Sequence, residues 1–286
     1  MPSKRALPSA AHCPVIFLLT LFLLLASQPA FALTAQPVRF PGKGLSLQGW
    51  LYLPQGAGPH PAVVALHGCG GLVDKSGRPS DRHDDWGQRL AGLGFIVLFP
   101  DSYTSRNLGP QCRNAERDVK PSRERTDDAN AALAYLAARP DVKPSAISLL
   151  GWSNGGTSVL YAIEDRHRPQ GTDFAKAVAF YPGCRAPLAA GHWQTRLPLM
   201  ILIGDADDWT AAAPCRQLTV TAQAQHESVD LVVYPGAYHD FDHPNLPVHL
   251  NDGMAFTASN SGLAHSGTNP AARADAIQRA PAYLAR

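Results

Sequence analysis

Six short, almost unbroken apolar runs constrain this chain most. They are 62–66 (AVVAL), 95–99 (FIVLF), 146–150 (AISLL), 177–181 (AVAFY), 199–203 (LMILI) and 229–234 (VDLVVY). A strand with one face in water alternates apolar and polar residues, whereas a strand covered on both faces has no polar side. Runs of this length therefore suit the inner strands of a parallel sheet. The stretch 45–53 (LSLQGWLYL) alternates instead, as a more exposed early strand does. Helix-like stretches lie between and after the runs, at 81–93, 123–138, 154–165, 213–225 and 270–284. The last begins well, with Asn269 as N-cap and Pro270 in the first turn. This alternation predicts an α/β domain with helices on both faces of the sheet. The segment 242–268, rich in Pro, Asn, Ser, Gly and His, reads as a long loop. No internal repeat or linker interrupts the pattern, so 33–286 is expected to form a single domain.

Charge narrows the function classes. The chain has 25 basic and 23 acidic side chains, and Lys4 and Arg5 account for the excess, so 33–286 is formally neutral. A nucleic-acid binder usually carries a basic surplus, so none is expected as a partner. With 45% hydrophobic residues the chain is not disordered.

Residues 1–32 have the layout of a secretory signal peptide. A short basic start is followed by the apolar run 15–26 (VIFLLTLFLLLA) and the small-residue site Ala30-Phe31-Ala32. Twelve residues in a helix reach about 18 Å, short of a hydrocarbon core of about 30 Å. Cleavage after Ala32 is expected, leaving a secreted or periplasmic protein without a stable membrane span. Cys69, Cys112, Cys184 and Cys215 then sit in an oxidising compartment, where three pairings are open to them. Their spacing has no zinc pattern.

Chemistry concentrates after the 146–150 run. Gly151-Trp152-Ser153-Asn154-Gly155-Gly156 is a G-x-S-x-G sequence between a strand and a helix. A sharp turn there lifts the Ser153 hydroxyl above the sheet edge, beside a helix N-terminus that favours a nearby anion. A serine hydroxyl attacks only when a base takes its proton. The 229–234 run leads into Pro235-Gly236-Ala237-Tyr238-His239, and 199–203 into Gly204-Asp205-Ala206-Asp207-Asp208-Trp209. Both loops fall at strand C-terminal ends, where open parallel sheets bind ligands. His239 is the expected base. Asp207 is the expected acid to orient it, with Asp208 as runner-up and Asp205 closer to a turn cap. His243 competes with His239, and the 239–243 sequence HDFDH has a metal-like look, but without cysteine or glutamate ligands nearby no metal is expected. His60, His83, His167, His192, His226, His249 and His265 read as surface or structural residues. The glycine-rich loop His67-Gly68-Cys69-Gly70-Gly71 leaves backbone N–H groups free, so Cys69 and Asn154 are the expected oxyanion donors. Trp152, Trp209, Tyr103 and Tyr238 are candidates for the substrate pocket.

The segments LHGCGG (66–71), GWSNGG (151–156), GDADDW (204–209) and YPGAYHDF (234–241), in that order, resemble the dienelactone hydrolase family of α/β-hydrolases. The resemblance runs from about residue 45 to 286. It implies an eight-stranded, mostly parallel sheet without a large lid domain, and ester hydrolysis without a cofactor. The family's Gly-x-x-Asp pattern falls on Asp207 and its Pro-Gly-x-x-His turn on His239. Dienelactone hydrolases proper use a cysteine nucleophile where this chain has Ser153, which favours a general carboxylester hydrolase acting on small-molecule esters. The implied strand order also pairs Cys69 with Cys112 and Cys184 with Cys215. Two other readings are a prolyl-oligopeptidase-like peptidase, which normally has a gating domain not seen here, and a non-catalytic binding scaffold, which predicts an incomplete triad.

Overall fold

The computed structural model describes residues 1–3 and 35–286. The expected leader, beyond its first three residues, and its cleavage site after Ala32 lie outside the described residues. Eight strands form one sheet in the order β1-β2-β4-β3-β5-β6-β7-β8. They are β1 (Gln36–Gly42), β2 (Leu45–Tyr52), β3 (His60–Leu66), β4 (Ile96–Asp101), β5 (Val142–Trp152), β6 (Ala177–Phe180), β7 (Leu199–Gly204) and β8 (Val229–Tyr234). Strand β2 pairs antiparallel with β1 and β4, and every pairing from β4 through β8 is parallel.

Burial explains the parallel part. All six residues of β7 and all four of β6 are buried, and Ala62 to Leu66 of β3 have no exposed surface. Each Val, Leu or Ile moved from water into such a layer contributes about 1.5–3 kcal/mol. The covering helices are α1 (Asp81–Gly92), α2 (Glu124–Ala137), α3 (Asn154–Ala162), α5 (Ala212–Ala224) and α6 (Pro270–Ala285). The short α4 (Arg185–Ala189) is the only α-helix between β6 and β7. Helix α6 starts as its sequence predicts: Asn269 Oδ1 accepts the Ala272 N–H at 3.0 Å, with Pro270 in the first turn. Helices α1 and α6 are tied by Arg273 to Asp85 at 2.8 Å.

Two expectations need correcting. Strand β1 precedes the first strand read from the sequence. Its QPVRFPG carries two prolines and four exposed residues, so neither periodicity nor composition marks it. The segment 242–268 is not all loop: β9 (His249–Asn251) and β10 (Ala264–Ser266) pair antiparallel within it. These strands have three residues each, too few for a periodic signal. Among the described residues no helix is long and apolar enough to cross a membrane.

The disulfides are Cys69–Cys112 and Cys184–Cys215, as the strand order implies. They span 43 and 31 residues, and each closure limits the unfolded chain. By the chain-entropy argument each adds ~3–4 kcal/mol. Replacing Cys184 and Cys215 together by Ala should therefore lower the urea-unfolding free energy by about 3 kcal/mol. An unchanged midpoint and slope would show that this bridge constrains little.

Candidate active site

Sheet register sets the loops of the site side by side in two pairs. Leu66 at the end of β3 pairs beside Gly151 of β5, so the glycine-rich loop and the Ser153 turn leave the sheet side by side. Gly204 of β7 pairs beside Tyr234 of β8, which does the same for the Asp207 and His239 loops.

Ser153 sits at φ 53°, ψ −116°, a conformation that non-glycine residues rarely adopt. Its own N–H is held by Phe180 O at 2.9 Å. The turn closes because helix α3 presses on β3: a Cβ on Gly155 would lie 2.1 Å from Leu66 O and 2.6 Å from His67 O. Gly204 serves the other pair of loops, since a Cβ there would lie 1.9 Å from Ala237 O.

These constraints produce a hydrogen-bonded chain of three side chains. Ser153 Oγ lies 2.9 Å from His239 Nε2, and His239 Nδ1 lies 2.8 Å from Asp207 Oδ2. A carboxylate only accepts, so Nδ1 carries the proton and Nε2 accepts from the serine hydroxyl. Asp207 Oδ1 accepts the N–H groups of Trp209 at 2.9 Å and Thr210 at 2.8 Å, which fixes its direction. Thr210 Oγ1 adds a contact at 3.0 Å to Asp207 Oδ2 and lies 3.1 Å from His239 Nδ1. Burial pushes the His239 pKa down, but the Asp207 carboxylate and its hydrogen bond outweigh it, leaving the imidazole above its ordinary value. Such an arrangement can move a proton from hydroxyl to imidazole and hold the resulting charge.

The rival acids have other work. Asp208 Oδ2 pairs with His265 Nδ1 at 2.7 Å, and its Oδ1 accepts the His265 N–H at 2.7 Å. Asp205 caps a turn through the Gly236 N–H at 2.7 Å. Within 239–243, Asp240 pairs with Arg82. Asp242 is fully buried and accepts from Trp86 Nε1 (2.7 Å), Trp152 Nε1 (2.8 Å) and Tyr181 OH (2.5 Å). His243 Nδ1 accepts the Asn245 N–H at 3.2 Å.

The glycine-rich loop passes against the serine: a Cβ on Gly68 would lie 3.6 Å from Ser153 Cβ. Among the described residues the N–H groups of Cys69 and Asn154 have no acceptor. Cys69 O accepts from the Gln111 N–H at 2.7 Å, beside its bridge to Cys112. His67 is fully buried, and burial pushes its pKa well below the usual value. Its Nε2 accepts the Ser102 N–H at 3.2 Å, so Nδ1 donates to Gly68 O at 2.8 Å and holds the loop.

Two pocket candidates need correcting. Trp152 is fully buried, packed between Phe99 and Phe180 at centroid distances of 6.1 and 5.8 Å. As the last residue of β5 it is covered by its neighbour strands and by Trp86 of α1, so it lines no pocket. Tyr103 is also buried, edge-on to His67 at 4.7 Å, with its hydroxyl 3.3 Å from Asn154 Oδ1. Trp209 does reach the site: its ring lies 4.9 Å from that of His239 and belongs to a small apolar cluster with Cys69, Met254 and Ala264. Tyr238 packs on His265 at 4.9 Å. Arg82, Arg125 and Thr210 support the site without having been singled out from the sequence, and His67 and Asp242 stood in named motifs without a role of their own. Arg82 and Arg125 come from helices far along the chain, and no local spacing marks them.

The architecture is that of an α/β-hydrolase. The dienelactone hydrolase family model matches residues 47–286, and the chain belongs to that family. A relative from Bradyrhizobium, named "Probable 2-oxo-3-(5-oxofuran-2-ylidene)propanoate lactonase", is 26% identical over 210 residues, covering 69% of this chain and 80% of its own. Among solved structures, a dienelactone hydrolase-like promiscuous phosphotriesterase from metagenomic libraries aligns with a TM-score of 0.67 at 20% identity. It covers 89% of this chain and 98% of that one. The dienelactone hydrolase from Anabaena variabilis aligns with a TM-score of 0.62 at 20% identity, with the same coverage. These structural likenesses show the fold.

Gly155→Ala should be among the most damaging small substitutions, because its methyl meets backbone rather than a movable side chain. We expect a loss of about 3 kcal/mol or more in unfolding free energy and displacement of Ser153. Gly92→Ala, with open space around its Cβ, should change stability by about 1 kcal/mol or less. Equal melting temperatures for the two variants would contradict the close-approach account.

Proposed function

We propose that this chain is a serine hydrolase that cleaves carboxylic esters, lactones included, through an acyl-enzyme. The observation that carries the reading is a serine hydroxyl 2.9 Å from a buried imidazole whose other nitrogen holds a carboxylate at 2.8 Å. Ser153 Oγ attacks the ester carbonyl carbon while its proton passes to His239 Nε2. The carbonyl π electrons move to oxygen, and that oxyanion takes the N–H groups of Cys69 and Asn154. Collapse breaks the bond to the alkoxy oxygen, which leaves with the proton from His239. Water then attacks the acyl-Ser153 carbonyl with His239 again as base, releasing the acid and restoring the serine. Asp207 keeps the Nδ1 proton in place and stabilises the imidazolium.

Trp209, Met254 and the Cys69–Cys112 bridge supply an apolar wall for one side of the ester. Export through residues 1–32 belongs to the same proposal, and two disulfides suit an oxidising compartment. A purely binding scaffold has no use for this proton path.

On an aryl-ester panel, Ser153→Ala should lose at least about a thousandfold in kcat with the fold intact by circular dichroism. Turnover equal to wild type would defeat the reading. Asp207→Asn should lower kcat by roughly 10³–10⁴-fold, whereas Asp208→Asn should leave it within a few-fold. The pH profile adds a signed test. The base must be neutral, so activity falls as pH drops through the His239 pKa, which Asp207 holds above the ordinary value. Removing that charge leaves burial in control, so the acid limb of Asp207→Asn should move to lower pH. A limb that stays in place would remove Asp207 from the mechanism.

A further inference from the structure

We infer that Arg125 is a positioning residue for the oxyanion site, holding Asn154 from behind and keeping a cation close to the charge that develops there. The inference rests on the serine-hydrolase reading.

Arg125 lies in the first turn of α2 and is fully buried. Its Nη1 donates to Asn154 Oδ1 at 2.6 Å. Tyr103 OH lies 3.3 Å from that same oxygen, and the guanidinium carbon lies 5.4 Å from the Tyr103 ring centre. The Asn154 side chain is thus clamped, and the residue directly follows Ser153.

No carboxylate pairs with this guanidinium among the described residues. The nearby acids are engaged: Asp128 takes both terminal nitrogens of Arg106 at 2.8 Å, and Asp101 Oδ1 accepts the N–H groups of Tyr103 (3.1 Å) and Thr104 (2.9 Å). Among the described residues Arg125 Nε and Nη2 have no hydrogen-bond partner. Burial lowers its pKa, yet a guanidinium stays charged at neutral pH. Asp128 and Asp101 lie near enough to favour its charge but neither bonds it, and taking a cation out of water without a bonded counter-charge is costly, a cost an apolar side chain of similar volume would not carry. An anion formed at the Asn154 N–H during the proposed reaction gives such a charge its use. A low-dielectric, prearranged cation stabilises a transient oxyanion more than it stabilises a neutral ester.

The test compares Arg125→Met with wild type and Ser153→Ala in one assay. We expect kcat to fall about 10- to 100-fold with KM changed by less than about threefold. Affinity for phenylboronic acid, which forms an anionic tetrahedral adduct, should fall by a similar factor. The melting temperature should hold or rise, because a buried unpaired charge is gone. A lower melting temperature with kcat and boronate affinity at wild-type values would make Arg125 merely structural and overturn the inference. If Arg125→Met does not fold, Arg125→Lys decides: it keeps the charge and loses the fork on Asn154. A kcat about fivefold or more lower at unchanged KM supports the inference, and wild-type kcat and boronate affinity overturn it. Failure of the underlying reading looks different, because Ser153→Ala would then match wild type whatever position 125 does.

Discussion

The backbone contact between the start of α3 and the end of β3 governs the arrangement of this molecule. With no side chain at Gly155, the helix lies against the carbonyls of Leu66 and His67, where a single methyl would meet oxygen at 2.1 Å. That approach forces the tight turn in which Ser153 takes a positive φ, and it sets the glycine-rich loop beside the serine. Strain in such a turn costs about 1–3 kcal/mol, so it persists only where surrounding structure over-determines it. Here the parallel register of β3 with β5, the Ser153 N–H bond to β6 and the packing of Trp152 beneath all do so.

Behind His239 the charges are sorted by what each carboxylate accepts. Asp207 faces the imidazole and holds its Nδ1 proton. Asp240, next in sequence, points at Arg82, whose Nη1 also donates to Tyr181 OH at 3.1 Å. Asp242 is turned into the core, where two indoles and a phenol satisfy it. A buried carboxylate is tolerable only when its lone pairs are so engaged. Two acids close to one histidine therefore do not compete with Asp207 for its proton. They anchor the loop to α1 and to the sheet.

The inner strands and the order of the loops were legible in the sequence, because both-face burial leaves unbroken apolar runs and the strand ends carry short motifs. Ser153, Asp207 and His239 follow parallel strands β5, β7 and β8 at one sheet edge, and the turns after them bring the three side chains within 2.9 and 2.8 Å of one another. Strand β1 was not legible, because an edge strand with two prolines has no period. Trp152 and Tyr103 were misplaced for a related reason. Nearness in sequence to a motif does not say where a side chain goes: Trp152 packs into the core, and Tyr103 is buried against His67 and Arg125 with its hydroxyl on Asn154. Arg125 and Arg82 reach the site from helices, and only tertiary packing shows them.

Rigidity around the site comes from outside the three side chains. The Cys69–Cys112 bridge ties the glycine-rich loop to a segment that also holds 242–268, through the Ala255 N–H to Cys112 O at 2.9 Å. That same segment reaches the acid loop, where Trp209 Nε1 donates to Ala255 O at 3.0 Å and the Ala258 N–H to Asp208 O at 2.9 Å. It also meets the histidine loop, where the Gly267 N–H donates to His239 O at 2.9 Å. One excursion between β8 and α6 is thereby bonded to the loops that present Cys69, Asp207 and His239. Stabilising a transient charge requires donors that do not have to move when it appears. A cross-linked rim of this kind suits the proposed mechanism, and Asp208, through its partner His265, joins that rim without touching the imidazole of His239.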